Sequence, residues 1–186
     1  MRVCKTKLDG LLVVEPDYYQ DSRGYFMETW SKNRYVKAGI TADFVQDNLS
    51  YSTYGVLRGL HFQNPNGQGK LVYVVDGEVF DVAVDIRVGS PTFGEWEGLL
   101  LSSNNKKQLY IPEGFAHGFC VLSEYALFAY KCTNLFAPEA EKGLIWNDPD
   151  IRIKWPITDV EISDKDKEYQ LLKNIDKSDL PLNRGV

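Results

Sequence analysis

Lys70-Leu71-Val72-Tyr73-Val74-Val75-Asp76-Gly77-Glu78-Val79-Phe80-Asp81-Val82-Ala83-Val84-Asp85 is the stretch that sets the fold class. Two runs rich in β-branched and aromatic residues flank Asp76-Gly77, and an Asp-Gly between such runs predicts a hairpin. Short runs of the same kind recur on both sides: within residues 3–14, broken at Asp9-Gly10, then at 25–30, 44–49, 94–101, 108–111, 118–122 and 126–133. Turn residues separate them at regular intervals, which predicts an antiparallel sandwich or barrel. Helices are expected only at the margins. Residues 31–39 read as one, with Ser31 placed to cap it and Gly39 to end it. Residues 163–178 read as a helical tail, because Leu171, Leu172 and Ile175 fall at helical spacing. The last residues, 180–186, read as a surface-bound or loose end. No repeat or linker divides the 186 residues, so one domain spanning 1–186 is expected.

The formal net charge of -5 argues against a general nucleic-acid binder. It leaves room for one anionic small ligand held by local arginines and lysines. No apolar run approaches the length of a membrane span, and residues 1–10 lack a signal-peptide core. The three cysteines, Cys4, Cys120 and Cys132, are odd in number and lie in strand-like sequence. They are expected to be reduced, in a cytoplasmic protein.

There are two histidines, and imidazole is the side chain whose unperturbed pKa suits acid/base work near neutral pH. His61 lies in Arg58-Gly59-Leu60-His61-Phe62-Gln63, where strand alternation puts His61 and Gln63 on one face. A lone histidine is more often a hydrogen-bonded interior group. Here Arg58 and Lys70 crowd it with positive charge, which is costly unless an anion or water is present. Tyr130 lies in a strand, as many tyrosines do. Ser163-x-x-Asp166 by its spacing alone reads first as a helix cap.

Pro112-x-Gly-x-x-His117 resembles the second motif of the cupins, double-stranded β-helix barrels that often hold a metal. His61-x-Gln63 stands where a cupin metal site has His-x-His, and a metal-free barrel is expected. Asp21-Ser22-Arg23-Gly24, the His61 and His117 segments, Trp146-Asn147-Asp148-Pro149 and Ser163-Asp164-Lys165-Asp166 together resemble the dTDP-4-dehydrorhamnose 3,5-epimerase family. The similarity runs from about residue 13 to 166.

The resemblance implies a mainly β cupin jelly-roll barrel with short terminal helices. It implies a cofactor-free isomerase that inverts C3 and C5 of dTDP-4-dehydro-6-deoxy-D-glucose to give dTDP-4-dehydro-L-rhamnose, for cell-surface polysaccharide. His61 would be the base, Asp166 its partner, Tyr130 the acid on the opposite face and Lys70 the cation beside the C4 oxygen. Arg23, Glu28, Gln46, Asn48, Arg58, His117, Glu141 and Lys165 would bind substrate. A homodimer with exchanged strands is implied, with Arg23 reaching the neighbouring site. The chain departs from the family at Thr133-Asn134-Leu135-Phe136, where Thr-Asn-Tyr-Tyr is usual. That leaves open a C3-only or C5-only epimerase. A barrel of this class could also serve as a ketoisomerase, a non-catalytic sugar-nucleotide-binding module or a metal-dependent cupin oxygenase.

Overall fold

Strands dominate the computed structural model, which describes residues 1–183. They are β1 (Arg2–Lys5), β2 (Leu12–Glu15), β3 (Tyr18–Asp21), β4 (Gly24–Met27), β5 (Gln46–Thr53), β6 (Leu57–Gln63) and β7 (Lys70–Asp76). Then come β8 (Glu78–Asp85), β9 (Trp96–Ser102), β10 (Gln108–Ile111), β11 (Phe115–Val121), β12 (Tyr125–Cys132) and β13 (Glu141–Gly143). Helix α1 (Lys32–Lys37) follows β4, and helix α2 (Asp164–Lys167) lies in the tail. The body is two sheets, β1-β2-β10-β7-β12-β5 and β13-β6-β11-β8-β9, while β3 and β4 form a separate hairpin. This is the jelly-roll barrel that the family resemblance implies, and it falls within the antiparallel sandwich or barrel that the strand spacing predicts.

Asp76-Gly77 does not close a hairpin. β7 pairs with β10 and β12 in one sheet, and β8 pairs with β11 and β9 in the other. The dipeptide is the corner between sheets. Gly77 sits at φ +88°, and a Cβ there would lie 2.1 Å from the Tyr125 carbonyl oxygen, so only glycine fits. The reason is the burial of β8 on both faces. Val79 and Ala83 join Val72 and Val74 in the core between the sheets. Val82 and Val84, pointing the other way, pack outward against Ile86, Ile151, Leu172 and Trp155. A strand that must be covered on both sides is better served by β7 lying over it than beside it.

The tail also differs from expectation. Residues 163–178 hold one four-residue helix, α2, and two 3-10 turns, Leu172–Asn174 and Lys177–Asp179. Docking overrides the helical spacing. Gln170 bridges Leu144 in parallel, and the Leu172 N–H donates to the buried Asp148 carboxylate at 2.8 Å. Leu180 is buried rather than loose, and Leu182 bridges Val88. Residues 184–186 of the expected loose end lie outside the described residues. At the other end, α1 falls within the expected span, and Gly39 at φ +95° follows it. Ser31 takes the cap position without a side-chain cap bond.

Candidate active site

The site begins with an irregularity in β6. His61 pairs with His117 of β11, but Arg58 pairs with Phe119, so three steps on one strand match two on the other. Simple alternation would send Arg58 and His61 to opposite faces. The bulge shifts that alternation, and Arg58, which is exposed and does not line the cavity of His61, reaches β5 of the other sheet. Arg58 there donates from Nε to the Ser52 hydroxyl at 3.0 Å. Leu60 and Phe62 turn outward into the second core.

His61 Nε2 lies 2.8 Å from Asp166 Oδ1. The other carboxylate oxygen of Asp166 accepts the Gly59 N–H at 3.1 Å, and the Asp166 N–H donates to Ser163 Oγ at 3.1 Å. Ser163 therefore caps α2, as its spacing predicts. The carboxylate does not complete a capping box; it turns inward to the imidazole. Burial pushes the Asp166 carboxyl up, but its hydrogen bonds and the charge of His61 outweigh that and hold it below the usual range. An ionised carboxylate fixes the proton on Nε2 and leaves the lone pair on Nδ1.

Tyr130 comes from the other sheet, on β12 between Val72 and Asn48. It and His61 line one cavity of about 280 Å³, together with Lys70, Gln46, Asn48, Gln63, Gln68, Phe136 and Glu141. Burial raises the Tyr130 phenol, with Cys132 adding and Arg58 opposing. Burial lowers the Lys70 amine, against the charges of Cys132, Asp81 and Glu141. The Lys70 ammonium lies 6.0 Å from the centre of the Tyr130 ring.

The remaining expected residues divide. Asn48 and Gln46 line the cavity and bond each other at 3.0 Å; Gln46 Oε1 also accepts the Phe136 N–H at 2.9 Å, which anchors the loop after β12. Glu141 lines the cavity and is ion-paired with Lys165. His117 stands behind the cavity wall. Its Nε2 lies 2.9 Å from Asp81 and its ring stacks on Phe128. Burial lowers its pKa, with Asp81 opposing.

Arg23 and Glu28 do not reach the cavity of their own chain. Arg23 is 88% exposed at the tip of the β3–β4 hairpin and pairs with Asp21, while Glu28 lies 3.5 Å from Arg34. Among the described residues no group of three or more His, Cys, Asp or Glu side chains could hold a metal ion. One neighbour of His61 carried no signal in the sequence: Tyr169, whose ring meets the imidazole edge-on with centroids 5.8 Å apart.

A dyad on one wall, with a phenol and an ammonium on the other, suits proton transfer at carbon next to a carbonyl. Comparison with known proteins points the same way. A family profile described as dTDP-4-dehydrorhamnose 3,5-epimerase matches residues 5–174. The epimerase of that name from Methanothermobacter thermautotrophicus is 52% identical over 175 residues, covering 92% of this chain and 95% of the relative. The one from Shigella flexneri is 53% identical over 178 residues, covering 95% and 98%. The crystal structure of dTDP-6-deoxy-D-glucose-3,5-epimerase from Legionella pneumophila, in complex with dTDP-4-keto-L-rhamnose, superposes with a TM-score of 0.97 at 52% identity, covering 99% of each chain. The chain belongs to the dTDP-4-dehydrorhamnose 3,5-epimerase family.

Proposed function

We propose that this chain is an isomerase that epimerises dTDP-4-dehydro-6-deoxy-D-glucose at C3 and C5 to dTDP-4-dehydro-L-rhamnose, in the cytoplasm, for a rhamnose-containing surface polysaccharide. The observation that carries it is that His61 and Tyr130, on strands of the two different sheets, line one cavity. A C4 ketone acidifies the hydrogens on C3 and C5, because the carbanion left behind delocalises onto the carbonyl oxygen. His61 Nδ1 takes the proton, and Asp166 stabilises the imidazolium that forms. Lys70 faces the developing oxyanion. Tyr130, kept protonated by burial, returns a proton to the opposite face of the carbon. Inversion needs two groups on two sides; one base alone would hand the proton back where it came from. The reaction is redox-neutral, since a proton leaves and a proton arrives. Acid/base catalysis supplies about 10²–10⁴-fold, so oxyanion stabilisation must carry a comparable share.

The cavity has room for a sugar ring rather than a whole nucleotide sugar, so the nucleotide lies toward its mouth. Gln46, Asn48 and Arg58 would bind there, with Glu141 and Lys165 closing the side and His117 shaping the wall. Arg23 would reach the site of a second chain. The β3–β4 hairpin stands apart, with Tyr19 66% and Phe26 71% exposed, and the edge strand β5 exposes Leu49 and Tyr51. Apolar side chains on a projecting hairpin and an open sheet edge fit a homodimer that exchanges these strands. No helix among the described residues is long and apolar enough to cross a membrane.

A one-carbon epimerase is the second reading. Phe136 lines the cavity without the hydroxyl usual there, and a hydroxyl near the sugar could decide whether the second carbon is presented to the base.

Three outcomes test the proposal. His61→Ala should lower kcat by about 10²–10⁴-fold. Asp166→Asn should cost about as much, because the amide can donate to Nε2 and thereby place the imidazole proton on the wrong nitrogen. Both variants should keep the far-UV circular dichroism of the parent, and near-parental turnover by either would defeat the assignment. The alkaline limb of the kcat profile should lie below the ordinary lysine value of about 10.4. Lys70 loses its charge as pH rises through its lowered pKa, whereas Tyr130 titrates higher. Lys70→Arg should move that limb upward, and a limb that stays put belongs to another group. Sedimentation at micromolar concentration should give two chains, and Arg23→Ala should raise KM with little change in kcat. A monomer with full activity would contradict the exchanged-strand assembly.

A further inference from the structure

We propose that Tyr169 is a positioning residue for the His61–Asp166 pair: its ring fills a slot beside the imidazole, fixes the ring's orientation and keeps water from the shared proton. This rests on the reading of His61 as the base. The slot is built by the register of β13 on β6, which sets Gly143 directly opposite His61. A Cβ on Gly143 would lie 2.3 Å from Tyr169 Cε2 and 2.5 Å from its Cζ. The missing side chain is therefore the space the tyrosine ring occupies. That ring meets the imidazole at 73°, edge against face, an arrangement aromatic pairs favour.

The backbone holds Tyr169 there by means independent of His61. After α2 ends, Gln170 bridges Leu144, and the Ile145 N–H donates to the Gln170 carbonyl at 2.9 Å. One short segment thus delivers two contacts to the same imidazole. Asp166 takes Nε2 and Tyr169 packs against the ring. The imidazole side chain remains 30% exposed, so the face left open is limited to part of the ring. The buried Tyr169 hydroxyl makes no well-formed hydrogen bond among the described residues, although the Lys165 ammonium, ion-paired with Glu141, lies near it. A buried hydroxyl without a good partner destabilises a fold. The ring, not the phenol group, is what the site uses.

The test compares Tyr169→Phe, Tyr169→Ala and Gly143→Ala. With two histidines in the chain, each held to an aspartate, the two hydrogen-bonded imidazole protons can be followed together by proton NMR. The His117 proton is the internal reference. Tyr169→Ala should speed exchange of the His61 proton with water and lower kcat by about ten- to a hundredfold at little cost in KM, with the His117 proton unchanged. Gly143→Ala should act in the same direction by displacing the ring. Tyr169→Phe should restore both readouts and melt no lower than the parent. The proposal is overturned if Tyr169→Ala leaves the His61 proton as it was, if both histidine protons loosen together, or if phenylalanine behaves like alanine. If the parent protein itself shows no turnover, the assignment of His61 as base is what fails, and the exchange data still decide the role of Tyr169.

Discussion

The hydrogen bond between His61 and Asp166 joins two parts of the chain separated by more than a hundred residues, and the site is organised by it. One partner is on a barrel strand, the other on a four-residue helix too short to be stable alone. The helix persists because its segment is tied down on both sides. Ser163 caps it, Gly59 donates to its buried carboxylate, and the stretch after it lies along Leu144. A carboxylate held this way sets the imidazole tautomer and leaves the lone pair on Nδ1.

Burial of charge is the second element. Burial lowers both Lys70 and His117; Asp81 opposes the shift at each, and the Lys70 charge adds to the shift of His117. The Arg58 charge acts on Tyr130 from nearby. In a low-dielectric interior an anion beside a buried amine favours its charged form. In the proposed reaction the enolate oxygen would be that anion. Binding energy from the diphosphate can then be spent on holding the ring between the two walls.

The sequence disclosed most of the strand content, because the long body strands keep their apolar residues at spacings that only a layered β fold buries; β3 and β13, with no buried apolar residue, gave no such signal. Motifs rather than periodicity pointed to His61, Tyr130 and Lys70, which line one cavity, and to Asp166, which bonds His61. What it hid has physical causes. Asp76-Gly77 satisfies the local rule for a hairpin, but β8 is buried on both faces, and no local rule records what covers a strand. The tail shows leucines at helical spacing, yet Leu172 is claimed by the outer core and its N–H by Asp148. The bulge between Arg58 and His61 shifts alternation without leaving a mark in the composition. Tyr169 looks like one more residue of an exposed helix until Gly143 is seen to have left it a space.

Proton exchange by the Tyr130→Phe variant in heavy water, with dTDP-4-dehydro-6-deoxy-D-glucose as substrate, tests the opposed-face geometry most directly. His61 remains able to remove a proton, and the acid on the far side is gone. Proton NMR should show deuterium entering beside the ketone with retained configuration, while formation of the inverted sugar falls far below that of the parent. Inversion that continues at the parental rate, or exchange and inversion abolished together, would contradict a base and an acid facing each other across the cavity.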